Sequence, residues 1–483
     1  MAVAIGRGFI LIVTEDGNIC TSGDNVYGQL GVGDFARHEQ PCLLKYVDTF
    51  GGHEVVMVAA GGSQCACVTK DGSLWTWGDN TDGLLGHTHT SDYQDHLQCR
   101  PRRLCASLHG DSPVLMVAYG NKILLILTVS GHIWSFGVGE LYELGHGSAE
   151  VTRVPKRIDP AVFDNAEIGM IAAGRHHCFA ISKTDGRVWS WGWNRESQTG
   201  VDRDFVDETT MCVHTPTLIP AAVLEGGSVV FVSCGWDFSA LVTVDGVVWV
   251  CGANSQNEIG LEDDIVCSHV FRRLGGAEFF GSGIRMVSCG MNHTMLLTND
   301  NTVWTCGSGH NGELARAPDT YGQGVVRGGP PRLVDANTFH RSAPRGLYDN
   351  NVVVVAAGAH CSFAITYGGT LYAWGYRTRD YFVDSEQPPR QPSWVPSKMP
   401  AATLGLADNS VEYARVGRWH DIHQDDMIAF IMGTLPRFAV NTETPFNSTF
   451  PVEMLHGLFK SMRFAPREQT SHGARALLGI EDD

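Results

Sequence analysis

Val55-Val56-Met57-Val58-Ala59-Ala60-Gly61, then Ala66-Cys67-Val68-Thr69-Lys70-Asp71-Gly72, then Leu74-Trp75-Thr76-Trp77-Gly78, is the stretch on which the fold turns. The first run is apolar, rich in β-branched residues, and stops at a Gly. Asp71-Gly72 then separates two more short apolar runs, a hairpin signature for which a type I′ turn with positive φ is expected. Outward from this unit the same marks return. Gly23, Gly78, Gly137, Gly192, Gly252, Gly307 and Gly375 lie 55, 59, 55, 60, 55 and 68 residues apart. Six residues before each stands Gly17, Gly72, Gly131, Gly186, Gly246, Asn301 or Gly369. Eleven residues earlier again (twelve in one copy) stands Gly6, Gly61, Gly120, Gly174, Gly235, Gly290 or Gly358. Asn301 is the one exchange at these places, and Asn is the next residue to tolerate positive φ. The earliest Gly of each copy is expected where a sharply turned backbone near a crowded axis leaves no room for Cβ.

Seven copies of about 55–68 residues, each holding several short strands and a hairpin, predict an all-β fold, a seven-bladed β-propeller. Radial packing buries apolar faces between neighbouring blades and hides most strand edges. A linear solenoid would need polar caps, and the first copy begins almost at residue 1. The propeller is expected over 1–400, with 401–483 as a C-terminal extension.

Composition narrows the function. The chain has 483 residues, 43% of them apolar, and 56 are Gly, well above the usual ~7%. Acidic residues outnumber basic ones by 52 to 35, giving a formal net charge of -17, which disfavours a broad nucleic-acid surface. The N-terminus shows no charged segment followed by a long apolar one, and the longest apolar runs, 123–127 and 352–357, are strand-sized. A cytosolic or nuclear, reduced protein with no membrane segment is therefore expected. Fourteen cysteines include no C-x-x-C pair, so no metal or other cofactor is expected. Cys234 and Cys289 stand where other copies have Ala, and Cys251 and Cys306 where others have Trp, as buried apolar residues would. His177 and His293, three residues after a repeat Gly, read as structural. No Ser-His-Asp or Cys-His constellation can be assembled from sequence, and no P-loop is present.

The run Val287-Ser288-Cys289-Gly290-Met291-Asn292-His293-Thr294, continuing through Val303-Trp304-Thr305-Cys306-Gly307, resembles the regulator-of-chromosome-condensation repeat. Gly23-Asp24-Asn25-Val26-Tyr27-Gly28-Gln29-Leu30-Gly31 resembles the segment that follows the strand in that family. Weaker versions stand at 78–86 and 252–260. The resemblance covers roughly residues 1 to 400 and implies the family's seven-bladed propeller, in agreement with the count of copies. It also implies a rival function, guanine-nucleotide exchange on a Ran-like small GTPase, the activity of the family's founding member. That member binds nucleosomes through a basic N-terminal tail, whereas this chain starts within its first repeat and is acidic, so chromatin binding is disfavoured.

The favoured reading is a non-enzymatic scaffold that presents rigid loops to a protein partner. The loops just after the first Gly of each copy are expected on one face, with Lys122, Arg175, His176, Trp236, Asp237 and Asn292 as partner-binding candidates. Trp193 and Trp236 each follow a repeat Gly and are expected to emerge at loops, the other strand tryptophans being core. Gly235-Trp236-Asp237-Phe238-Ser239 partly resembles the Gly-Trp-Arg-His-Thr segment of a plant ultraviolet-B receptor of the same fold. A light-sensing reading ranks low, because Asp and Phe replace Arg and His and there is no second copy.

The longest insert, 308–350, carries Arg316, Arg327, Arg332, Arg341 and Arg345, which would suit an acidic partner, although a solvated loop is slightly favoured. The segment 376–400 reads as an extended linker. In the tail, residues 414–420 are a candidate ring-closing strand, and 425–433 and 452–462 candidate short helices. Pro451-Val452-Glu453-Met454-Leu455 resembles the opening of an F-box, which implies a ubiquitin-ligase adaptor as a weaker alternative.

Overall fold

The computed structural model describes residues 2–14, 16–81, 83–87, 96–261, 265–275, 282–309, 312–314, 334–335, 352–366, 371–375 and 393–398. The candidate arginines of the long insert, the tail 401–483 and, of the candidate linker 376–400, all but residues 393–398 lie outside the described residues; those six are not linker but a strand, Ser393–Lys398, paired with Leu371–Gly375.

Among the described residues, 28 strands form seven four-stranded antiparallel sheets, each built from consecutive strands. The blades span 2–44, 55–103, 114–157, 168–218, 229–275, 284–335 and 352–398. In blade 4 the strands are Ile168–Ala173, His177–Ser182, Val188–Trp193 and Cys212–Leu218. First strands of successive blades pack on one another around the axis, and that of blade 7, Val352–Ala357, packs on that of blade 1, Ala2–Ile5. The expected seven-bladed propeller is therefore present. Blade 1 and blade 7 each contain four strands of their own, so the ring closes by face packing of these two blades. No helix among the described residues is long and apolar enough to cross a membrane.

The second strand of each blade is buried throughout, and Trp77, Phe136, Trp191 and Trp374 on the third strands are fully buried between blades. The three indoles are also tethers. Trp77 Nε1 donates to Gln29 O (2.8 Å), Trp191 Nε1 to Glu143 O (2.7 Å) and Trp374 Nε1 to Glu313 O (2.7 Å), each carbonyl belonging to the preceding blade. Cys251 and Cys306, in the same column, reach Gln198 O and Glu258 O through sulfur at 3.4 Å. The cysteine-for-tryptophan exchange thus keeps the contact as well as the burial.

Two local expectations change. The hairpins are not type I′ turns: Val68 pairs with Leu74, leaving a five-residue loop in which Gly72 alone of the Asp-Gly pair has positive φ, 78°. Asp71 instead accepts from Thr69 Oγ1 (2.6 Å) and Ser73 N (3.2 Å), and Thr243–Asp245 repeats the contact. The column is Thr-x-Asp-Gly, and the Asp holds the turn from its side chain. The early glycines do lack room for Cβ, but the cause is a close approach at ordinary φ. A Cβ on Gly174 would lie 2.3 Å from the His177 ring and 2.6 Å from Gly235 O of the next blade, and one on Gly290 would lie 2.3 Å from His293 and 2.4 Å from Gly358 O.

The outer strands carry Pro41, Pro101, Pro155, Pro216 and Pro396, beside register shifts in their pairing. Proline cannot donate to an added strand, so the repeat blunts its own exposed edges.

Candidate functional site

Antiparallel order places two connections of every blade on the same face: first strand to second, and third strand to fourth. The first-to-second loops contain the candidate residues. The third-to-fourth loops contain a column six residues after the strand-end Gly: Gln29, Leu84, Glu143, Gln198, Glu258 and Glu313. Backbone N–H groups two residues earlier donate into these side chains, Tyr27 to Gln29, Leu141 to Glu143, Glu196 to Gln198 and Gln256 to Glu258, at 2.8–3.0 Å. With the carbonyls tied to the next blade's tryptophan or cysteine, these loops are fixed from two sides.

The first-to-second loop of the next blade then rests on that column. His176 Nδ1 lies 2.9 Å from Glu143 Oε1, His360 Nδ1 lies 3.4 Å from Glu313 Oε1, and Gln198 Nε2 donates to Asp237 Oδ1 at 3.4 Å. Backbone bonds run along the face as well, from Asn121 N to Arg175 O (3.1 Å) and from Arg175 N to Gly235 O (3.4 Å).

At the centre of this arrangement the Arg175 guanidinium lies over the Trp236 ring, 4.4 Å from its centroid, in the distance range for cation–π attraction. Trp236 keeps 37% of its surface exposed. His176 meets the Trp193 ring edge-on at 5.7 Å. Burial pushes the Asp237 carboxyl upward, with Glu196 adding to the shift and Arg175 and His176 opposing it. Glu258 is likewise raised, first by burial and then by Asp237 and Glu196.

The structure brings Arg175, His176, Trp236 and Asp237 together across blades 4 and 5. Lys122 is exposed on the adjoining loop of blade 3, beside the Asn121–Arg175 bond. Asn292 is on the blade 6 loop, half-buried, its carbonyl accepting from Ser308 N at 2.7 Å. The sequence reading missed the Glu143 and Gln198 supports, although the Gln/Glu column was there to be aligned. Among the described residues, no group of His, Cys, Asp and Glu has the geometry to hold a metal.

Similar proteins place this site in a family context. An ultraviolet-B receptor of Arabidopsis thaliana, UVR8, is 31% identical over 263 residues, 54% of this chain and 55% of that protein. The guanine nucleotide exchange factor SRM1 of Saccharomyces cerevisiae is 25% identical over 332 residues, 67% of this chain and 53% of that protein. The chain thus spans about half the length of these relatives. Among solved structures, yeast RCC1 (Prp20) in complex with Kap60 superposes with a TM-score of 0.66 at 20% identity, covering 81% of this chain and 85% of that one, a likeness of fold. The sequence matches the RCC1-like domain over residues 1–278 and the RCC1 repeat over 284–313, and the chain belongs to the RCC1-like domain family.

Proposed function

We propose that the protein is a non-enzymatic interaction module whose protein partner docks on the loop face around Arg175 and Trp236. The observation that carries this reading is the half-open tryptophan held by an arginine on loops locked to the core. Trp and Arg dominate the energetics of protein interfaces when they sit on a surface that needs little ordering. Affinity purification tests it. A specific partner is expected to bind at least ~10-fold more weakly to Trp236→Ala, a loss of about 1.4 kcal/mol or more. Unfolding of the variant should match the parent, because the ring is not part of the buried core. If Trp236→Ala and Arg175→Ala both retain the partner at full affinity, the docking face lies elsewhere.

The match to SRM1 over 67% of the chain supports a second reading, nucleotide exchange on a Ran-like small GTPase. Exchange requires only that the propeller bind the nucleotide-free state more tightly than the loaded one. Acceleration of nucleotide release from Ran, abolished by changing Lys122, Arg175 or Asp237, would replace the scaffold reading with this one.

A further inference from the structure

Blade 1 holds a chain of three side chains that its repeat columns do not explain: Asp34, His38 and Cys42. Asp34 lies in the third-to-fourth connection, and His38 and Cys42 lie on the outer strand His38–Leu44. Cys42 Sγ is 3.4 Å from His38 Nδ1, and His38 Nε2 is 3.0 and 3.1 Å from the two Asp34 oxygens. These are hydrogen-bond separations, well beyond the ~2.0–2.3 Å of metal ligation. Asp34 is itself held, accepting from Asn25 Nδ2 (2.9 Å) and Ala36 N (3.0 Å). Asn25 is buried and accepts from Leu30 N (2.9 Å), so the carboxylate is anchored to the loop interior. Beside the chain, Arg37 pairs with Asp24 at 3.0 Å.

The protonation pattern follows from these bonds. Its hydrogen bond with His38 is the main cause that holds the Asp34 carboxyl below the usual carboxylate range, so it is an ionised acceptor. Nε2 of His38 then carries the ring proton, and Nδ1 presents its lone pair to the Cys42 thiol. Burial, reinforced by the Asp34 charge, pushes the Cys42 thiol up. The Cys42 thiol also has Gln40 O within reach at 3.7 Å; turned to the nearer Nδ1 it forms a neutral S–H···N pair with a carboxylate behind it, the arrangement in which a base removes the proton as the nucleophile attacks.

We propose that Asp34, His38 and Cys42 form a thiol–disulfide exchange site that takes a low-molecular-weight disulfide. Cys42 Sγ attacks one sulfur of R–S–S–R′ while its proton passes to His38 Nδ1, and Asp34 stabilises the imidazolium. A Cys42–S–S–R bond forms as the S–S bond of the reagent breaks. R′–S⁻ leaves and takes the proton back from His38, so R′–SH is released; Cys42 is oxidised to the mixed disulfide, the R′ sulfur is reduced to the thiol, and the reagent disulfide is the only oxidant needed. Unlike acyl transfer, this reaction needs no donor pair for a developing oxyanion, and none is required of this rim. Cys42 is half-buried, neither sealed in the core nor fully in solvent.

The test uses the full chain with Cys105→Ser, because Cys105 is exposed and its thiol is lowered by hydrogen bonding to Ser107. The probe is 5,5′-dithiobis(2-nitrobenzoate), an aromatic disulfide, at pH 7, with each labelled cysteine identified by peptide mass mapping. Cys42 is expected to react at least ~10-fold faster than Cys99, which is equally half-buried. His38→Gln keeps an amide donor for Asp34 but offers Cys42 no base, and should slow Cys42 at least ~10-fold while leaving Cys99 unchanged. Asp34→Asn, which removes the charge behind the imidazolium, should slow it by a smaller factor. Fully buried Cys65 and Cys67 remaining unlabelled shows that each variant is folded. The same mapping with glutathione disulfide should place the mixed disulfide on Cys42. A Cys42 rate no faster than that of Cys99, or one untouched by both His38→Gln and Asp34→Asn, overturns the proposal.

Discussion

His177 offers a sharp test of how the blades are joined. It is fully buried between blades 4 and 5, with Nε2 2.8 Å from Ser239 Oγ, whose hydroxyl donates to Gln198 O at 2.7 Å. Because that hydroxyl hydrogen is committed, Nε2–H must be the donor, and Nδ1, beside Gly174, has no hydrogen-bond partner. Burial is the main cause that pushes His177 down to about 3, and likewise His293, in the same column, down to about 4. A base whose folded pKa lies below its unfolded value of ~6.5 binds protons in the unfolded chain first, so stability is full above that value and falls as pH drops. The slope is about 1.4 kcal/mol per pH unit for each such histidine below its unfolded pKa, which integrates to roughly 2 kcal/mol between pH 7 and pH 5. The pair therefore removes about 4 kcal/mol in that window, a large share of the 5–15 kcal/mol a typical fold possesses. Urea unfolding followed by tryptophan fluorescence at pH 5, 6 and 7 measures the slope. His177→Gln lowers absolute stability through packing, but its slope should be shallower than the parent's by about one proton. His87 and His146, also pushed down to about 4 chiefly by burial, titrate in both proteins and cancel in the difference. Equal slopes in parent and variant would refute the assignment of a neutral, buried imidazole.

Two further perturbations separate the causes behind the repeat columns. Gly290→Ala drives Cβ into the His293 ring and Gly358 O and should cost about 1–3 kcal/mol. Gly226, with φ +81° and nothing within 4 Å, should cost only the left-handed strain of about 1–2 kcal/mol when changed to Ala, and thermal melting ranks the two. Trp191→Phe leaves Glu143 O with only the Cys178 sulfur at 3.5 Å and should cost about 1–3 kcal/mol in urea unfolding. Blade 3 shows how such a loss is met, since Phe136 donates nothing and Tyr119 OH approaches Leu84 O at 3.4 Å instead.

How much was legible depended on whether a feature repeats. Gly174 and Gly290 announced themselves by spacing, and so did the seven blades, because packing on a ring imposes the same steric demand at each junction. The reason for those glycines was not legible. It depends on a histidine three residues later folding back and on a carbonyl from the next blade, both tertiary facts. The hairpins mislead for a related reason: Asp-Gly fits a two-residue turn, and only the Thr two residues before Asp71 and Asp245 shows that the Asp works through its side chain. Arg175 and Trp236 occupy one column, so an alignment of copies makes them equivalent without showing that they touch. Contact between them follows from ring closure, which turns a column of equivalent residues into a circle of neighbours. Asp34, His38 and Cys42 lie within nine residues and still escaped notice, because they fall outside the shared columns. Packing fixes what the copies have in common. What distinguishes one blade from the next is free of that demand, and the residues most open to a blade-specific role are therefore those on which the repeat is silent.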